Sequence, residues 1–131
     1  MRKFILVFIL SSGVALLAAA SEYPPIQQYQ GIPYVSGGVG DEGQQALKSM
    51  EARFNLKLVF AASSGEYLAD IQVRILDQQG NVVLQANSEG PWFYASLPPG
   101  TYTVQARGFG KDLEHKLEVI SGKLTEVVLR W

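Results

Sequence analysis

The stretch that most limits what this chain can become is Leu97 to Ala106, Leu-Pro-Pro-Gly-Thr-Tyr-Thr-Val-Gln-Ala. Pro98 and Pro99 hold φ near about −65° and lack the amide proton a sheet ladder needs. Gly100 can take the positive φ of a tight turn, so a reversal of the chain is expected here. Beyond it Tyr102, Val104 and Ala106 alternate with Thr101, Thr103, Gln105 and Arg107, the two-residue period of a strand with one buried face. A β-rich class follows from this stretch, and a biochemical role does not.

Residues 1–20 read as a separate segment: Arg2 and Lys3, an apolar run from Phe4 to Leu17, then Ala18, Ala19 and Ala20. This is the pattern of a cleavable secretory signal peptide. The run is interrupted by Ser11, Ser12 and Gly13 and is short for a hydrocarbon core of about 30 Å, which argues for cleavage after Ala20 over a membrane anchor. The periplasm is the expected location, and the exported chain is not expected to be an integral membrane protein. No Cys follows the small residues, so no lipidated cysteine is expected.

Loss of Arg2 and Lys3 leaves nine basic against twelve acidic residues, a formal charge of −3. That balance makes nucleic acid an unsuitable partner. The chain has no cysteine, so its core is to be held by packing without disulfides.

Residues 21–40 read as an extended arm, because Pro24, Pro25 and Pro33 break regular structure and Gly31, Gly37, Gly38 and Gly40 loosen it. Tyr23, Tyr29 and Tyr34 are many aromatics for a solvated linker, so part of the arm is expected to lie along the domain or along a partner. Residues 41–54 read as a helix. Asp41 is the expected N-cap, Glu42 suits the helix dipole, and Leu47, Met50 and Phe54 form one apolar stripe that should dock on a sheet.

From Asn55 the period changes to two, and seven runs follow: Leu56 to Ala61, Ala69 to Asp77, Val82 to Ala86, Trp92 to Leu97, Thr101 to Arg107, Glu114 to Ile120 and Leu124 to Trp131. Lys57 should point outward in the first, and the Trp92 run is apolar on both faces. Short strands with turn signals about every ten residues predict a seven-stranded antiparallel sandwich over residues 55–131. An outer-membrane barrel competes, but its strands need about nine to eleven residues, and most of these runs are shorter.

The Leu97–Ala106 stretch, together with Ala69-Asp70-Ile71-Gln72-Val73-Arg74-Ile75-Leu76-Asp77 and the following Gly80, resembles the carboxypeptidase regulatory-like domains. The resemblance covers about residues 55–131 and implies a transthyretin-like (prealbumin-like) sandwich serving as an accessory, binding or spacer module with no catalytic residues. Related adhesin repeats can carry a Lys to Asn crosslink. Lys57 stands where such a lysine would be, but Leu124 to Trp131 holds no Asn or Asp acceptor, so no crosslink is expected.

The remaining motifs point to structure more than to chemistry. Gly38, Gly40 and Gly43 spell G-x-G-x-x-G, yet no convincing strand precedes them, no parallel strand is expected after them, and Asp41 and Glu42 would face a pyrophosphate. His115 is the only histidine, too little for a zinc site or for a base with its orienting partner. Asp70 and Asp77 are an odd number of positions apart and so fall on opposite faces of a strand. Asp77, Gln79, Gly80 and Asn81 read as a hairpin turn in preference to a calcium loop.

No catalytic residue, metal or cofactor is therefore expected. The leading reading is a non-enzymatic periplasmic module that binds an envelope protein through an interaction surface drawn from Tyr29, Tyr34, Gly37, Gly38, Trp92 and Tyr94, or through an open sheet edge. A glycan- or peptidoglycan-binding module using exposed Trp92 and Tyr94 is the alternative, although core packing of those aromatics is favoured. A hydrolase has the least support.

Overall fold

The computed structural model describes residues 24–131. The expected signal peptide and the first residues of the arm lie outside the described residues. No helix among the described residues is long and apolar enough to cross a membrane.

The described chain forms nine strands and one α-helix: β1 (Gln27–Tyr29), β2 (Ile32–Gly37), α1 (Gly40–Lys48), β3 (Leu56–Ala61), β4 (Ile71–Leu76), β5 (Val82–Ser88), β6 (Trp92–Ala95), β7 (Gly100–Gly108), β8 (Lys111–Val119) and β9 (Thr125–Arg130). A 3₁₀ turn at Glu51–Arg53 links α1 to β3. One sheet has the order β1-β2-β6-β3-β9 and the other β5-β4-β7-β8. Each of the seven expected runs overlaps a strand, and β5, β7 and β8 extend beyond theirs. The two additional strands fall in the expected arm, which is therefore not irregular: β1 and β2 form a hairpin that pairs with β6 through Tyr34↔Ala95 and Gly37↔Trp92, so this part lies along the domain.

Two apolar layers result. Leu56, Leu58, Phe60, Ile71, Val73 and Val104 belong to the core between the sheets. Leu47, Met50 and Phe54 form a second core with Val35, Val59, Trp92 and Tyr94 on the outer face of the five-stranded sheet. The three stripe residues dock as expected, but the helix is shorter than the expected 41–54: it ends at Lys48, and Met50 and Phe54 flank the 3₁₀ turn. β6 is buried on both faces because Phe93 and Ala95 join the first core while Trp92 and Tyr94 join the second.

Three local expectations change. Val39, not Asp41, is the N-cap of α1; it makes no side-chain cap, and Asp41 lies in the first turn. Gly100 is not among the left-handed residues and instead opens β7, its backbone against the Tyr102 ring. The Tyr102 hydroxyl secures the turn by donating to the Pro98 carbonyl at 2.6 Å. The sandwich is also not wholly antiparallel, since β3 and β9 pair in parallel from Leu56↔Thr125 to Ala61↔Arg130.

Candidate functional site

Strand alternation places Lys57 on the outer face of β3, opposite Tyr94 of β6 on one side and Glu126 of β9 on the other. Outward was expected and is observed, but the side chain is only 8% exposed, being enclosed by Glu51 of the 3₁₀ turn and the rings of Trp92 and Tyr94. Its Nζ lies 3.9 Å from the centre of the Trp92 ring and 5.6 Å from that of Tyr94. It also stands 3.6 Å from Glu51 Oε2. The Tyr94 hydroxyl donates to the same carboxylate oxygen at 2.6 Å.

A desolvated ammonium is costly unless paired, and here a carboxylate and two ring faces compensate it. Burial, reinforced by the bond to Glu51, pushes the Tyr94 hydroxyl well above its ordinary acidity range. The cluster joins the 3₁₀ turn to the sheet, and its polar atoms are committed to one another.

Between β3 and β9 a groove of about 280 Å³ is lined by Lys57, Val59, Tyr67, Trp92, Val128 and Arg130 among others. Tyr67 is 56% exposed and Val128 43%. β9 has a strand neighbour on one side only.

The outer face of the four-stranded sheet is polar. Arg107 grips Asp112 with two bonds of 2.8 and 3.2 Å, and Gln105 donates to Glu114 at 3.0 Å. The Arg107 contact holds the Asp112 carboxyl below its usual range and raises the guanidinium in turn. These groups line a recess of about 350 Å³ with Gln72 and Arg74. A second recess, of about 450 Å³, shares Gln72, Arg107 and Asp112 and adds Asp70 and Phe109.

The six residues expected to form an interaction surface do not form one. Trp92 and Tyr94 come together beside Lys57 and both are buried, the packing favoured for them over the exposure that the glycan alternative needs. Tyr34 stacks on Phe93 at 5.5 Å and donates to Gln27, so it belongs with Tyr29 at the margin of the inner core. Gly38 is buried where a Cβ would come within 3.1 Å of Trp92, and a Cβ on Gly90 would collide with the Gly37 backbone. Those glycines serve close packing.

Glu51, Tyr67, Phe109 and Val128 were not foreseen. A readable signal existed for Phe109, a bulky residue between Gly108 and Gly110 where a two-residue turn favours Asn or Gly.

The G-x-G-x-x-G context is also nearer to a nucleotide motif than expected. A strand, β2, does precede it, and β3 runs parallel to β2 with β6 between them, since both pair antiparallel with β6. Asp41 and Glu42 nevertheless occupy the first turn of α1, where they oppose an anionic ligand. His115 is exposed on β8, and no group of three metal-ligating side chains stands together among the described residues. Asp77 Oδ1 accepts from the Gln79 and Asn81 amides, the turn chemistry predicted there.

The fold and these surfaces define a two-sheet β-sandwich with one helix-covered face. Residues 53–130 match the model of the Rhizobiales growth-associated tandem repeat domain, and the chain belongs to that family. The matching model is therefore not that of the carboxypeptidase regulatory-like domains that the motifs resemble. The match takes in β3 to β9 and leaves out β1, β2 and α1, which nonetheless pack onto the same sheet. No curated protein matches the chain.

Proposed function

We propose that this chain is a small, non-enzymatic periplasmic β-sandwich module that acts as an interaction or accessory protein of the cell envelope. The observation that carries this reading is the strip along β3 and β9, where exposed Tyr67 and Val128 flank an apolar floor at Val59 beside an open strand edge. An open edge offers backbone groups to an added strand, and alternate side-chain pockets give that strand its specificity. Because β1 and β2 are built into the sheet, the strip replaces the arm as the reaching element. Membership in a family described as a tandem repeat domain supports a modular role.

We read β3 to β9 as a prealbumin-like sandwich, on the support of the Leu97–Ala106 turn and strand and of the seven strands in that stretch. The glycan reading at Trp92 and Tyr94 loses the exposure that motivated it, both rings being buried.

The test is site-specific photo-crosslinking in cells that express the full chain. A probe at Val128 is expected to capture an envelope protein, whereas one at Gln85, on the far sheet, is not. Capture from Gln85 alone, or from neither position, would contradict the reading.

A further inference from the structure

We infer that the β7–β8 hairpin tip and the polar face beside it form a binding site for a neutral glycan chain, with Phe109 as its stacking platform. This goes beyond the interaction strip on β3 and β9 and is independent of it. The first observation is the turn itself. Gly108 pairs with Lys111, so Phe109 and Gly110 make a two-residue loop, with φ of 54° and 72°. Such a turn suits Asn, Asp or Gly, and a bulky side chain at positive φ is strained. Phe109 is 70% exposed, so burial within its own chain does not compensate the strain. Local strain of this kind concentrates where a residue meets a ligand.

The second observation is convergence. Asp70, also left-handed at φ 58°, lines the same recess as Phe109. The tip is held rigid because Trp131 Nε1 donates to the Gly108 carbonyl at 2.9 Å and to that of Lys111 at 3.3 Å. From Phe109 the two recesses run on through Gln72, Arg107 and Asp112 to Arg74, Gln105 and Glu114.

Of those groups Gln105 with Glu114 and Arg107 with Asp112 are paired by cross-strand bonds, so they present donors and acceptors in preferred positions. Arg74 and Arg107 stand against Asp70, Asp112 and Glu114, a slight acidic surplus that disfavours an anionic ligand. An uncharged ligand with one apolar face for the ring and hydroxyls that both donate and accept satisfies this set, and a pyranose chain has that chemistry.

The experiment titrates the full chain with cellotetraose and chitotetraose while following backbone amide shifts. Saturable shifts are expected at residues 108–112 and at Gln72 with at least one of the two. Phe109→Asn is expected to weaken that binding at least tenfold and, by relieving the turn, to raise Tm by roughly 3 to 6 °C. Absence of shifts with both sugars, unchanged affinity in the variant, or a lower Tm would each overturn the proposal. Concentration-dependent self-association that Phe109→Asn abolishes would also overturn it, by assigning the tip to a second copy of the chain.

Discussion

Lys57 shows how far a single position can depart from what alternation alone suggests. Its place on the outer face of β3 follows from period two, since Leu56, Leu58 and Phe60 fill the inner face. Its burial depends on Trp92 and Tyr94 of the distant strand β6 and on Glu51 six residues upstream, and strand periodicity reports neither. The same cluster sets a pH response. The folded-state pKa of Tyr94 is raised above the unfolded value of about 10 by burial and the bond to Glu51, so the fold favours the neutral phenol. The stability that this contributes is complete below about pH 10 and is lost as pH rises beyond it. Tyr94→Phe should cost about 1 to 2 kcal/mol at pH 7 through loss of the bond to Glu51. It should also flatten the alkaline fall in stability, leaving a smaller share from Tyr102, which burial shifts in the same direction. Urea unfolding at pH 8, 10 and 11 measures both effects. Parallel curves for the two proteins would show that the phenol is not coupled to folding.

Among the elements, the helix was the more legible and the hairpin the less. Leu47, Met50 and Phe54 lie at spacings of three and four, and all three are buried on the sheet. The regular helix stops at Lys48, and a 3₁₀ turn carries Phe54 into place, a boundary that periodicity does not resolve. Pro33 and the glycines concealed β2. A strand of poor propensity forms there because the outer edge of β6 offers it a ladder and Val35 a buried place in the second core. The helix is expected to be indispensable to that layer. Leu47→Asp places a charge at a fully buried position and should cost at least about 3 kcal/mol, lowering Tm by about 10 °C or more. Calorimetry decides this, and an unchanged Tm would mean that α1 does not pack on the sheet.

At the scale of the whole molecule, the strand-bearing runs beyond Asn55 were legible because turn chemistry separates them, but their pairing was not. The parallel contact between β3 and β9 joins the two ends of the family-matched stretch, and nothing local to either strand encodes its partner. The proposed interaction strip was legible least of all. Aromatic residues serve cores and surfaces alike, and in Trp92 and Tyr94 the second core claimed them. That second core exists only if residues 24–54 are part of the fold, and this is the central structural claim. Amide hydrogen exchange on the full chain tests it most directly. Val35 of β2 should be protected to nearly the same degree as Leu58 of β3, because both belong to sheets closed over one cooperative unit. Exchange of the Val35 amide at the rate of an unstructured peptide, with Leu58 still protected, would contradict it.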